Sequence, residues 1–213
     1  MYHNRFDKKE GAKQAVWKTL CVHFFQRFTP KKGRVMDIAA GNCEFINHIE
    51  ANEKIAFDIN GDAALFAKPD VRFIHDTFFN MGSYAIGEFE VVFASNIFEH
   101  LDSKEQVVSA MKLCYERLVP GGKLLVLQPN IKYTGGAYWD FIDHKTPLTD
   151  KSVVEAGLLC GFKAARVLPR FLPYTTRSRL PQHPAFVWLY LKTPPAWAVF
   201  GKQSFIVLEK PRE

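Results

Sequence analysis

Apolar residues come in short bursts along this chain, and their spacing changes from one burst to the next. Ala15, Val16, Leu20, Phe24 and Phe28 recur close to helical spacing, so residues 8–28 are expected to form a helix. The Pro-Lys-Lys-Gly stretch at 30–33 breaks it. Beyond it, residues 34–38, 54–57, 71–75, 89–94 and 123–128 read as strands, and 42–50 and 104–118 as helices. Val91-Val92-Phe93-Ala94 and Leu124-Leu125-Val126-Leu127 are apolar at every position. That is the pattern of strands covered on both faces. Pro120-Gly121-Gly122 separates the long helix from the strand after it.

Strands alternating with helices build βαβ units and a mostly parallel sheet. After residue 130 the pattern changes. Thr149 is a candidate cap for a helix that stops at Gly161, and 162–167 and 204–208 read as two further strands. Between them, 168–203 is rich in proline, aromatic and basic residues. The expected fold is α/β, a doubly wound, mostly parallel sheet of seven strands with an antiparallel last strand. A length of 213 residues suits one domain, with an N-terminal helix in 1–30 and an insertion at 168–203 that acts as a lid.

Composition narrows the picture. Hydrophobic residues make up 47%, which excludes a disordered chain, and the 19 phenylalanines point to an aromatic core. Cys21, Cys43, Cys114 and Cys160 form no C-x-x-C pair, so neither a zinc site nor a disulfide framework is expected. They fit reduced thiols in a cytoplasmic protein. The polar N-terminus does not resemble a signal peptide. The apolar run 185–191 is far shorter than the ~20 residues of a bilayer span. Residues 1–160 carry 19 Lys and Arg against 20 Asp and Glu, whereas 161–213 carry nine against two, a local excess of +7. Such an excess suits an anionic partner, such as phosphate, a lipid headgroup at the inner membrane face or, less well, nucleic acid.

In open α/β sheets, ligands bind beyond the carboxyl ends of the strands. Four consecutive expected strands end there in polar residues: Asp37, Asp58, Asp76 and Ser95-Asn96. The first strand runs into the small-residue turn Ala39-Ala40-Gly41, which lets a ligand approach the backbone. Asp58 lies 21 residues after Asp37, and a carboxylate there can accept hydrogen bonds from both ribose hydroxyls of a nucleoside. Capping the next turn is a compatible second role.

These segments resemble, in order, the motifs of class I methyltransferases dependent on S-adenosylmethionine (SAM). VMDIAAGNCEF is similar to the first motif, IAFDIN to the second, and FIHDTF, FEVVFASNIFEHL and LVPGGKLLVLQPN to the next three strands. The resemblance spans residues 34–130 and continues through HKTPLTDKSVVEAGLLCGF. It departs at Ala39 and Cys43, which stand where the family pattern has glycine; Gly41 matches. The resemblance implies SAM as cofactor and S-adenosylhomocysteine as product. It puts Asp37, Ala39 and Gly41 beside the methionine part, Asp58 on the ribose, and Ile59 against the adenine. Asp76 and Thr77 would meet the adenine edge, with Ser95 and Asn96 below the sulfonium. A nicotinamide dehydrogenase would need G-x-G-x-x-G after the first strand, and Asp37 would sit badly beside a pyrophosphate.

Residues after the fourth and fifth strands narrow the acceptor. Ser95-Asn96-Ile97-Phe98 is not the Asp/Asn-Pro-Pro-Tyr/Trp of adenine-amino methylation, and no Pro-Cys pair suits attack on cytosine. A hydroxyl acceptor benefits from a base. His144, preceded by Asp140 and Asp143, is the first candidate and His100 the second; both can instead be structural. Tyr138, Arg170, Tyr174 and Arg177 are expected on the acceptor side, where arginines grip phosphate and rings stack on sugars. The 168–203 segment is similar to that of bacterial methyltransferases of the type 11/23 kind associated with surface-glycan assembly. The expected activity is O-methylation of a sugar or of a phosphate- or lipid-linked glycan precursor. An RNA methyltransferase and a non-catalytic interaction protein are the alternatives.

Overall fold

The computed structural model describes residues 3–173 and 183–212, with side chains from residue 11 onward. Seven strands, β1 (Arg34–Ile38), β2 (Glu53–Asp58), β3 (Val71–His75), β4 (Phe89–Ser95), β5 (Leu118–Pro129), β6 (Lys163–Leu168) and β7 (Gln203–Glu209), form one sheet in the order β3-β2-β1-β4-β5-β7-β6. The first five run parallel, and β7 lies antiparallel between β5 and β6. The chain winds outward from β1 to β3, then crosses back to place β4 beside β1. The strand order reverses between β1 and β4, and in open α/β sheets ligands bind beyond the carboxyl ends at such a reversal.

Both faces of the sheet are covered, as the apolar strands require. Met36, Ile38, Ile55, Phe57, Val92, Ala94, Leu124, Val126, Ile206 and Leu208 pack on one side against α2 (Lys104–Glu116) and α4 (Asp150–Leu159). Their alternates Val35, Ala56, Val91, Phe93, Leu125, Leu127, Phe205 and Val207 pack on the other side against α1 (His3–His23). The period of two sorts each strand between the layers. Aromatic rings stack within the second layer: Phe45 lies on Phe93 at 3.7 Å between ring centroids, and Phe24 on Phe171 at 4.2 Å. Each such pair contributes ~0.5–1.5 kcal/mol beyond the area it buries.

A short helix, α3 (Ile131–Thr134), comes after β5. The 168–203 insertion contains α5 (Pro184–Lys192) and α6 (Pro194–Phe200), whose Leu191 and Trp197 join Phe171 in the α1 layer. Thr149 caps α4 as expected, its hydroxyl accepting from the Ser152 amide at 3.1 Å while the Ser152 hydroxyl accepts from the Thr149 amide at 2.8 Å. Among the described residues no helix is long and apolar enough to cross a membrane.

Three boundaries differ from expectation. Residues 42–50 form a series of turns, because Cys43 has φ +57°, a left-handed conformation in which a right-handed helix cannot continue. The N-terminal helix begins earlier and closes at His23, and a 3-10 turn at Phe25–Phe28 takes its place. Helix α2 stops at Glu116, and β5 already includes Pro120-Gly121-Gly122. Gly121, at φ +80°, donates its amide to the Lys210 carbonyl.

Candidate active site

Parallel pairing sets the polar strand ends along one edge. Asp37 and Ile38 of β1 lie opposite Ala56 and Phe57 of β2; Asp58 is level with His75, and Ser95 with Leu127. The β1 turn reaches the next strand through the Ala39 and Ala40 amides, which both donate to the Phe57 carbonyl at 2.9 Å. Asp58 closes the loop, accepting from the Gly41 amide at 2.7 Å and the Asn60 amide at 2.8 Å. Each carboxylate oxygen retains a further lone pair for a ligand hydroxyl.

Ala39 and Cys43 replace glycines of the resembled pattern, yet both keep positive φ, +98° and +57°, flanking Gly41 at +52°. The loop thus holds a glycine-type backbone with side chains attached, a strain of ~1–3 kcal/mol at each such position.

Asp37 is 2% exposed, and among the described residues no ion pair neutralises it. Burial, with Glu44 and Asp58 nearby, pushes its carboxyl well above the ordinary range. Glu44 escaped the sequence analysis. It is buried in the same turn and pairs with Lys13 of α1, while Gln14 of that helix donates to the Asn42 carbonyl at 3.2 Å. The helix is thereby pinned over the loop. Only the position of Glu44, three residues past Gly41, hinted at it.

Beside Asp58, Ile59 is 76% exposed. Asp76 accepts from the Thr77 amide, the Asn80 side chain and the Tyr84 hydroxyl, and these bonds hold its carboxyl below the usual carboxylate range. Thr77 caps the adjoining 3-10 turn. Asn96 has φ +49°, and its side-chain carbonyl accepts from Gln203 of β7 at 2.8 Å, a partner 107 residues away that no local pattern could signal. Together the edge offers acidic side chains suited to a cation, a strand-end carboxylate for a diol, and an exposed apolar side chain for a flat ring. These are the requirements of the amino acid, ribose and base of SAM.

Beyond the ends of β4 and β5 the two histidines meet. The Glu99 carbonyl accepts from the Lys145 and Thr146 amides at 2.8 and 3.0 Å, and the Thr146 hydroxyl donates to the Leu101 carbonyl at 2.6 Å. These bonds dock the segment after β5 onto the turn after β4 and bring the rings of His100 and His144 to 5.1 Å. His144 stacks on Phe141, and burial together with His100 lowers its pKa, which favours neutral imidazole. Glu99, unnoticed in the sequence, is 2% exposed, and burial pushes its pKa up to about 8.

Two residues expected on the acceptor side are engaged within the fold. Tyr138 is fully buried, its hydroxyl donating to the Thr146 carbonyl at 2.8 Å, so it supports the His144 segment and offers an acceptor no surface. Arg170 donates to the Val199 and Gly201 carbonyls at 2.7 and 2.8 Å and lies over the Tyr133 ring at 4.8 Å, so two of its donors secure the end of α6. Tyr174 and Arg177 lie outside the described residues.

No family model and no curated protein matches the chain. Solved structures do. A SAM-dependent methyltransferase from Archaeoglobus fulgidus superposes with a TM-score of 0.70 at 19% identity, covering 99% of this chain and all of that one. A SAM-dependent methyltransferase from Thermotoga maritima gives 0.67 at 15%, covering 98% and 96%. The N-methyltransferase NodS from Bradyrhizobium japonicum, in complex with S-adenosyl-L-homocysteine, gives 0.59 at 11%, covering 96% and 87%. The seven-stranded order, the reversal at β1 and β4 and the antiparallel β7 therefore make up the Rossmann-like fold of SAM-dependent methyltransferases.

Proposed function

We propose that this protein is a SAM-dependent methyltransferase whose acceptor is a hydroxyl of a sugar carrying an anionic, phosphate- or lipid-linked group. The observation that carries the cofactor reading is the convergence of Asp37, Glu44 and Asp58 on the Gly41 turn at the sheet reversal. An uncompensated acidic group there suits the ammonium of SAM, and Asp58 suits its ribose. SAM supplies an activated methyl group; the protein must bind it, align the acceptor oxygen and exclude water.

The hydroxyl reading is supported by the Glu99–His100–His144 cluster, which lies beyond the same strand ends and can help remove a proton. The anionic group is supported by the +7 excess after residue 160. Exposed Phe186, Trp188 and Leu189 on α5, with Val199 and Phe200 at α6, suit a lipid chain or an anionic membrane surface nearby.

Calorimetry with SAM tests the cofactor: saturable binding is expected, weakened by ~1–3 kcal/mol in Asp58→Ala. Equal affinity of the two proteins, or preference for NAD, defeats this reading. Methyl label from SAM, offered to phosphorylated sugars, free amines and RNA, tests the acceptor. Label in amines or RNA alone overturns the hydroxyl assignment.

A further inference from the structure

We propose that Glu99, His100 and His144 form a binding site for a divalent first-row transition metal ion of the zinc, cobalt or nickel type. The sequence held no such expectation, because the signal is tertiary: the residues are up to 45 positions apart and only the docking of two segments joins them. One potential ligand atom from each lies within 4.8 Å of the others. Zinc ligands ~2.0–2.2 Å from the ion are ~3.3–3.6 Å apart at tetrahedral angles. Closing the site thus shortens the widest separation by up to roughly 1.2–1.5 Å, which rotation of the two partly exposed rings can supply.

Three further observations point to an ion. Glu99 is almost wholly buried, its Oε2 has no hydrogen-bond partner, and no lysine or arginine pairs with it among the described residues. A buried carboxylate in that state lacks a cation. His100 has Nδ1 3.1 Å from the Asp143 carbonyl, so an N–H there donates and leaves the Nε2 lone pair for a ligand role. His144 is likewise held by a hydrogen bond with the Tyr138 backbone and by its stack on Phe141. Imidazoles fixed through one nitrogen by a carbonyl are how proteins orient metal-binding histidines.

Two imidazoles and one carboxylate are a mixed nitrogen and oxygen set, which favours zinc, cobalt or nickel over magnesium and calcium. Three protein ligands leave a coordination position open. If the methyltransferase reading holds, the acceptor hydroxyl would take that position, since Glu99 and His100 come shortly after Ser95 at the end of β4. Ion binding itself does not rest on that reading.

The test uses the full chain, stripped with a chelator and titrated with Co2+ in the absence of SAM. A saturable visible d–d absorption at one ion per chain is expected, displaced by Zn2+ and untouched by excess Mg2+. Glu99→Gln and His144→Gln should each weaken Co2+ binding at least ~10-fold. Circular dichroism establishes that each variant is folded; should Glu99→Gln fail to fold, His144→Gln on its partly exposed ring decides. Absence of saturable absorption, unchanged affinity in a folded variant, or thiolate charge-transfer bands placing the ion on cysteine would each overturn the proposal. SAM calorimetry on the stripped wild type tests the cofactor reading separately, so the two failures are distinguishable.

Discussion

Asp37→Asn sets stability against binding at a single atom. The Asp37 carboxylate is buried under α1, faces Glu44 and Asp58, and has no cation paired with it among the described residues. Its pKa in the folded chain is raised, first by burial and then by those two neighbours. In the unfolded chain the group titrates near ~3.9. Below that value Asp37 is protonated in both states and carries no charge penalty. As pH rises from there toward the raised folded value, the unfolded state gains by ionising while the folded state resists, so the native state loses stability. Asparagine has nearly the same shape and no charge. Removing a buried charge that no cation compensates is worth at least ~1–3 kcal/mol. For a domain of this size each kcal/mol moves Tm by ~2–4 °C, so the ligand-free variant should melt at least roughly 2–12 °C higher at pH 7.5. The gain should shrink toward pH 4.5. SAM affinity should move the other way, falling ~10- to 100-fold as a charge-assisted contact worth ~1.5–3 kcal/mol is lost. Thermal melts at the two pH values and calorimetry at pH 7.5 measure both. A Tm that falls at pH 7.5, or a gain larger at pH 4.5, would refute the account of Asp37 as a buried, uncompensated charge. Unchanged SAM affinity would refute its role toward the ammonium.

Two further predictions concern the scaffold. Ala39→Gly releases the strain of φ +98° at a cost of ~0.4–1 kcal/mol in unfolded-state entropy, for a net gain of about 1 kcal/mol; a lower Tm would mean the Ala39 backbone is unstrained. Thr149→Ala removes the reciprocal cap of α4 and should destabilise by ~0.5–2 kcal/mol in denaturant melts, with no change in SAM affinity; an unchanged midpoint would show that the cap contributes nothing.

The sequence by itself determined the elements whose causes are local. The apolar runs 91–94 and 124–127 gave buried parallel strands, because a strand covered on both faces needs apolar side chains at both parities. Asp37, Asp58, Asp76 and Ser95 fell on one edge, because parallel strands connected by crossovers all point their carboxyl ends the same way. Thr149 and Ser152 cap α4 through contacts three residues apart. What the tertiary structure alone decided depends on partners far away in the chain. The loop from Ala39 to Cys43 keeps a glycine-like backbone at both ends even though neither end is glycine, while Asp58 and the Phe57 carbonyl hold the loop from the neighbouring strand. Tyr138 is expected on the acceptor side from the sequence and is wholly buried, its hydroxyl donating to the Thr146 carbonyl within the docked segment. Glu99, His100 and His144 read as separate polar residues until the Glu99 carbonyl accepts from the Lys145 and Thr146 amides. Backbone hydrogen bonds of that kind depend on chain geometry and leave no trace in side-chain identity, so the grouping of these three residues belongs to the fold alone.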